Sequence, residues 1–444
     1  MPTEMTPAEG KPSLHYYLIS FDSAGNERED YPQKISKKIL NILSDEPITD
    51  IFLFSHGWMG DRTSAQNQYN KWVEAMSKSI DDIEQIKQVR PEFNPLLIGI
   101  HWPSLPWGNE ELGSSFISFD STNIAPIEQL IEGYAHRIAD TETSRQALKT
   151  IFQTAIADIA PEHLSLEVRQ AYEVLNRESG LGSEGEGAAP GSDRFSFDPE
   201  GIFEANKAEP VSFGQFDWNG ILMPLRALSF WKMKDRARQI GETGGFALLA
   251  QLQKATANTV RFHLMGHSFG CIVVSAMLAG PGGQGSLIRP VNSVALIQGA
   301  LSLWSYCADI PVLPGRPGYF HSIIANRKVA GPIVTTQTQL DKAVGKMYPL
   351  AAGIRQQIVF DPMELPKFGA LGTFGARGTG LEIVDMKMLA LSEPYQFAAG
   401  KVYNLDSTQY ICDISGGMFV GSHNDIAEPE VAHAVWQAAL ATDK

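Results

Sequence analysis

The feature that most constrains this chain is a series of short apolar runs that do not alternate with polar residues. Residues 48–55 (ITDIFLFS), 96–102 (LLIGIHW) and 259–265 (TVRFHLM) are examples, and residues 293–300 read as another strand. A strand with one wet face shows a period of two, so such unbroken runs suit strands buried on both faces. Between them lie segments with helical spacing at 33–43 (QKISKKILNIL), 65–88, about 226–256, 269–279 and 427–441. Further strand candidates are Tyr16 to Phe21 (YYLISF), 332–337 (PIVTTQ) and 401–405 (KVYNL). Strand and helix taken in turn predict an α/β fold, a mostly parallel central sheet with helices on both faces.

That rhythm lapses between about 105 and 225. Residues 125–178 suggest two or three helices, while 179–201 (SGLGSEGEGAAPGSDRFSFDPEG) is rich in glycine, serine and acid and reads as a flexible loop. The division expected is a core of 1–104 and 226–444, interrupted by an inserted, largely helical region at 105–225. Composition narrows the partners. Lys+Arg 36 against Asp+Glu 50 leaves a net charge of −14, the wrong sign for gathering nucleic-acid phosphates or anionic lipid. No run of about 18 apolar residues offers a membrane span, so no stable membrane insertion is expected. The N-terminal MPTEMTPAEGKPS lacks the apolar region of a secretory signal, which leads to the expectation of a soluble, cytoplasmic protein. Cys271, Cys307 and Cys412 are widely spaced without a CxxC pair, so neither a disulfide framework nor a thiolate zinc site is indicated.

The residues that carry chemistry lie between the strand at 259–265 and the helix at 269–279, where the chain reads Gly266-His267-Ser268-Phe269-Gly270. With glycine at 40 of 444 residues, a G-x-S-x-G match arises by chance about 0.2 times in such a chain. Context sharpens the signal, because a buried strand precedes the motif and a helix follows it. A turn this tight forces Ser268 into an unfavourable φ/ψ region, and a side chain at 266 or 270 would collide with neighbouring backbone. It would lift the hydroxyl to the rim of the sheet, with the positive end of a helix beneath it.

At this point the chain resembles the α/β-hydrolase superfamily, and GHSFG looks like its nucleophile elbow. The resemblance covers roughly 14–104 and 226–444 and leaves 105–225 aside. It implies a Ser…Asp/Glu…His order along the chain and an oxyanion loop after an early strand. His423, in Gly421-Ser422-His423-Asn424-Asp425 before the terminal helix, stands where the superfamily carries its base. His433 lies inside a helix-periodic stretch, and His321 comes too early to leave room for an acid-bearing strand. Asp341, just beyond PIVTTQ, stands where the acid belongs, with Asp361, Asp309, Glu364 and Asp406 as rivals. The oxyanion donors implied are the N–H of Phe269 and an N–H from His56-Gly57-Trp58, with Trp58 ahead of Gly57.

Other readings are set aside. His263 and His267 span a strand and a turn rather than a helix face, and HExxH is absent, so no metal is expected. The glycine runs at 280–285 and 368–380 lack the Lys-Ser/Thr of a phosphate loop, and no cofactor is expected. Cys271 reads as a small buried packer, and Trp102, Trp107, Trp218, Trp231 and Trp304 as core or as lining for an acyl pocket. The resemblance implies a serine hydrolase, a carboxylesterase or lipase-like enzyme. Its expected partner is a small-molecule ester with an apolar acyl or aryl part, under a cap formed by the insertion. An amidase, peptidase or acyltransferase on the same triad, or a non-catalytic binding module, are the alternatives; nothing in the sequence fixes an oligomeric state.

Overall fold

Residues 14–29, 33–58, 61–104, 127–158, 161–208, 220–341, 365–413 and 422–441 are described by the computed structural model. Every side chain of β2 (Asp50–Ser55) is buried, and β1 (Tyr16–Ser20), β3 (Pro95–His101), β4 (Arg261–His267) and β5 (Ser293–Ile297) are nearly as enclosed. With β6 (Ile333–Gln337), β7 (Ile383–Lys387) and β8 (Val402–Asp406) they form one eight-stranded sheet in the order β1-β3-β2-β4-β5-β6-β8-β7. All of its neighbouring strands pair in parallel. Strands paired this way need covered faces, and the unbroken apolar runs provide the surface to be covered.

One face carries α1 (Ile35–Asp45) together with α8 (Met223–Ile240), α9 (Phe246–Ala255) and α10 (Gly270–Ala279). The other carries α2 (Arg62–Lys78) and α3 (Ile80–Val89), against which the C-terminal helix Pro429–Leu440 packs. The helical segment expected at 65–88 is therefore two helices, which break at Ser79. The one expected at 226–256 is α8 and α9 joined through a π-helical turn at Gly241–Gly245. That turn is crowded by α10, since a Cβ on Gly241 would lie 2.5 Å from the Val273 carbonyl oxygen. The strand β7 is a half-exposed edge that the sequence reading did not include.

Between β3 and β4, α4 (Ile127–Ile138), α5 (Glu142–Ala157), α6 (Leu166–Glu178) and α7 (Pro199–Ala208) build an apolar cluster of their own. Leu225 and Leu228 of α8 join that cluster, while Phe230, Trp231 and Met233 of the same helix face the sheet. The boundary expected at 225/226 thus falls inside α8, which belongs to both bodies. The stretch at 179–198 is not a solvated linker. Glu186, Asp193 and Arg194 are buried, Asp193 pairs with Lys234 of α8, and Arg194 donates to the Gly182 carbonyl at 2.9 Å. Residues 199–201, also assigned to the loop, begin α7. Among the described residues no helix is long and apolar enough to cross a membrane.

Candidate active site

The sheet changes its direction of growth between β2 and β4: β3 and β1 extend it one way, and β5, β6, β8 and β7 the other. Helices leave a parallel sheet on opposite faces at such a point, and the gap between them opens at the carboxyl ends of the strands. Ser268 stands at that end of β4 and His56-Gly57-Trp58 at that end of β2.

The turn after β4 has the strain that its glycines suggest. Ser268 has φ +54°, a left-handed conformation that costs a non-glycine residue about 1–3 kcal/mol. A Cβ on Gly270 would sit 2.2 Å from the Ser55 carbonyl oxygen, and one on Gly266 would sit 2.5 Å from that of Gly270. The glycines are therefore required by contact, because α10 starts directly against the end of β2. Backbone bonds hold the strained residue: the Ser268 N–H donates to Ile297 at 3.1 Å, and its carbonyl accepts from Cys271 and Ala300. Cys271 is buried, its thiol donates to the Gly266 carbonyl, and burial raises its pKa well above 9, all of which fits a packing role.

Ser268, His423 and Asp341, separated by tens of residues in sequence, meet in one row. The Ser268 hydroxyl lies 2.9 Å from Nε2 of His423, and Nδ1 of His423 lies 2.7 Å from Oδ2 of Asp341. A carboxylate at Nδ1 fixes the proton there and leaves the Nε2 lone pair facing the serine hydroxyl. All three are buried, and Asp341 is 1% exposed. Ser422 ties the loops together by donating to the Leu340 carbonyl at 2.7 Å. The rivals are engaged elsewhere: His433 with Asp82 at 2.8 Å, His321 with the Tyr306 carbonyl, and Asp406 with Thr408. Asp309 accepts from the Gly315 N–H, and Asp361 and Glu364 lie outside the described residues.

Gly57 lies against the serine, for a Cβ there would come within 2.8 Å of the Ser268 Cβ. His56 orients the peptide that follows. Its Nε2 accepts the Trp102 N–H at 3.2 Å, so the ring proton is on Nδ1, which donates to the Gly57 carbonyl at 2.9 Å. Burial and the neighbouring His101 push the His56 pKa down to about 3, so this neutral form holds throughout the physiological range. With the Gly57 carbonyl turned to His56, the trans peptide directs the Trp58 N–H to the opposite side. Phe269 is the N-cap of α10, and its ring stacks on Trp58 at 5.6 Å. Phe230 of α8 packs against both rings, forming an apolar cluster that includes Phe269, next in the chain to Ser268.

Sequence reading missed several supporting side chains. Gln298, at φ +45° after β5, is buried; with its nitrogen turned inward it donates to Gly372 at 2.8 Å and to Oδ2 of Asp341 at 3.1 Å. The signal available was a lone glutamine after a strand, which is too common to single out. Trp102, Trp231 and Trp304 are core residues, and Trp107 and Trp218 lie outside the described residues. His263 is occupied by Asp50 and Ser293 at the far end of β4. His163, Glu200 and Glu204 bring possible ligand atoms within 4.8 Å of one another, with His163 exposed and both glutamates half-buried, and they pair among themselves and with Lys207. No family model, curated protein or solved structure matches the chain.

Proposed function

We propose that the chain is a serine hydrolase of α/β-hydrolase type, cleaving carboxylic esters through an acyl-enzyme. The observation that carries this reading is the continuous Ser268–His423–Asp341 contact, at 2.9 and 2.7 Å, on a serine held at positive φ. A serine hydroxyl needs a neighbouring base to become a nucleophile at neutral pH, and a third group must orient that base.

In the mechanism, Ser268 attacks the substrate carbonyl carbon and its proton passes to Nε2 of His423. Asp341 stabilises the imidazolium that forms. The Phe269 and Trp58 N–H groups hold the developing oxyanion, an interaction typically worth 100- to 1,000-fold per donor. Collapse of the tetrahedral intermediate expels the alcohol, which takes its proton from His423. Water, deprotonated by the same imidazole, then releases the acid and regenerates the serine. The helices α4–α7 act as a cap, sharing α8 with the core where Phe230 meets Trp58. The apolar cluster of Trp58, Phe230 and Phe269 next to the serine turn supports an acyl or aryl substituent over a charged one.

A fluorophosphonate probe tests the proposal directly. Wild-type protein should be labelled at neutral pH and Ser268→Ala should not. Absence of an adduct on the wild type would overturn the reading. A series of p-nitrophenyl esters of graded chain length, run beside anilide analogues, then separates esterase from amidase.

A further inference from the structure

His267 directly precedes the serine in the turn after β4, and nothing in the mechanism above uses it. Its ring is buried, packed edge-on against Trp72 of α2, and it reaches two partners on opposite sides. Nε2 lies 2.8 Å from the main-chain carbonyl oxygen of His423, and Nδ1 lies 3.2 Å from the amide nitrogen of Gln68 on α2. A carbonyl can only accept, so the proton is on Nε2, and Nδ1 is left to accept from the Gln68 amide. Burial, together with the nearby His423 and His56 rings, lowers the pKa of His267 well below 6.5, which keeps this neutral tautomer in place.

The arrangement answers a mechanical problem. Asp341 fixes the direction of the His423 ring, but the ring can approach Ser268 correctly only if the main chain that bears it is also fixed. Reacting groups must hold position to about 0.5 Å, and a 1 Å displacement costs on the order of 100-fold. The Nε2–H of His267 anchors the carbonyl of residue 423 from the position next to the nucleophile, so one strand end locates both reacting groups. Gln68 selects the tautomer that makes this possible. We infer that His267 is a positioning residue that ties the base loop to the strand bearing the nucleophile, with Gln68 setting its tautomer. The inference rests on the proposed hydrolase reading.

The test compares His267→Leu, His267→Gln and Gln68→Met on p-nitrophenyl butyrate, with rates expressed per fluorophosphonate-titratable site. His267→Leu should lower kcat by about 10- to 100-fold with KM nearly unchanged. His267→Gln, whose side-chain nitrogen can reach the same carbonyl, should recover most of that loss. Gln68→Met should lose less than His267→Leu. Leucine retaining kcat within about threefold, or glutamine no better than leucine, would overturn the inference. The tautomer can be read without turnover, by long-range proton–nitrogen NMR of the wild type at neutral pH. A proton on Nδ1 of His267 would refute the inference even if the ester activity stands. A wild type that neither labels nor turns over, yet shows the Nε2–H tautomer, would instead remove the hydrolase reading and leave the anchor in place.

Discussion

Under the proposed serine-hydrolase mechanism, replacing Asp341 by asparagine separates orientation of His423 from stabilisation of its charged form. Oδ2 accepts from Nδ1 of His423 at 2.7 Å and from the Gln298 amide at 3.1 Å. Where Gln298 and the Nδ1–H tautomer of His423 keep their orientation, an asparagine presents its oxygen at this point, because its nitrogen would face two N–H groups. The ring and its tautomer are then preserved, and what is lost is the negative charge opposite the imidazolium of the transition state. With charge centres about 4–5 Å apart and an effective dielectric of about 20, that charge is worth roughly 3–4 kcal/mol. The corresponding fall in kcat is about 150- to 1,000-fold, with KM nearly constant because Asp341 is buried. Steady-state and burst kinetics on a p-nitrophenyl ester, beside a thermal melt to confirm folding, measure it. A folded Asp341→Asn that loses less than about tenfold, or an equal loss in Asp361→Asn, would refute the reasoning.

Two further predictions concern the scaffold. Gly270→Ala would drive a Cβ to 2.2 Å from the Ser55 carbonyl oxygen and 2.6 Å from that of His56, and backbone on both sides cannot yield cheaply. A destabilisation of about 3 kcal/mol or more is expected in chemical denaturation, with loss of Ser268 labelling; near-native values would show that α10 can move off β2. Burial opposes protonation of His433, but the Asp82 carboxylate 2.8 Å away and the Glu393 carbonyl prevail and raise its pKa above 6.5. A pKa raised on folding stabilises fully below the unfolded value and is lost as pH rises through the folded one. The Tm advantage of wild type over His433→Gln should therefore be greatest near about pH 5.5 and shrink by about pH 9. A pH-independent difference would contradict it.

What could be read in advance was local. Phe52, Leu53 and Phe54 mark β2 as a buried strand whatever surrounds it, and the glycines at 266 and 270 mark a turn whose strain is set within five residues. Elements that depend on distant partners were harder. The edge strand β7 has the mixed burial of any exposed segment. Residues 179–198 have the composition of a linker, yet Asp193 is buried because Lys234, 41 residues on, supplies its counter-charge. The same holds at the site, where His423 is 155 residues from Ser268 and 82 from Asp341.

The sequence by itself determined the α/β alternation, the strained serine and the residue types able to serve it, because periodicity and steric crowding act over a few neighbouring residues. Only the tertiary structure decided which acid and which imidazole meet Ser268, and that His56, His267 and Gln298 hold them there. Hydrogen bonds reach about 3 Å, and it is the adjacency of β2, β4, β5, β6 and β8 in the sheet that brings these chain-distant groups within that reach.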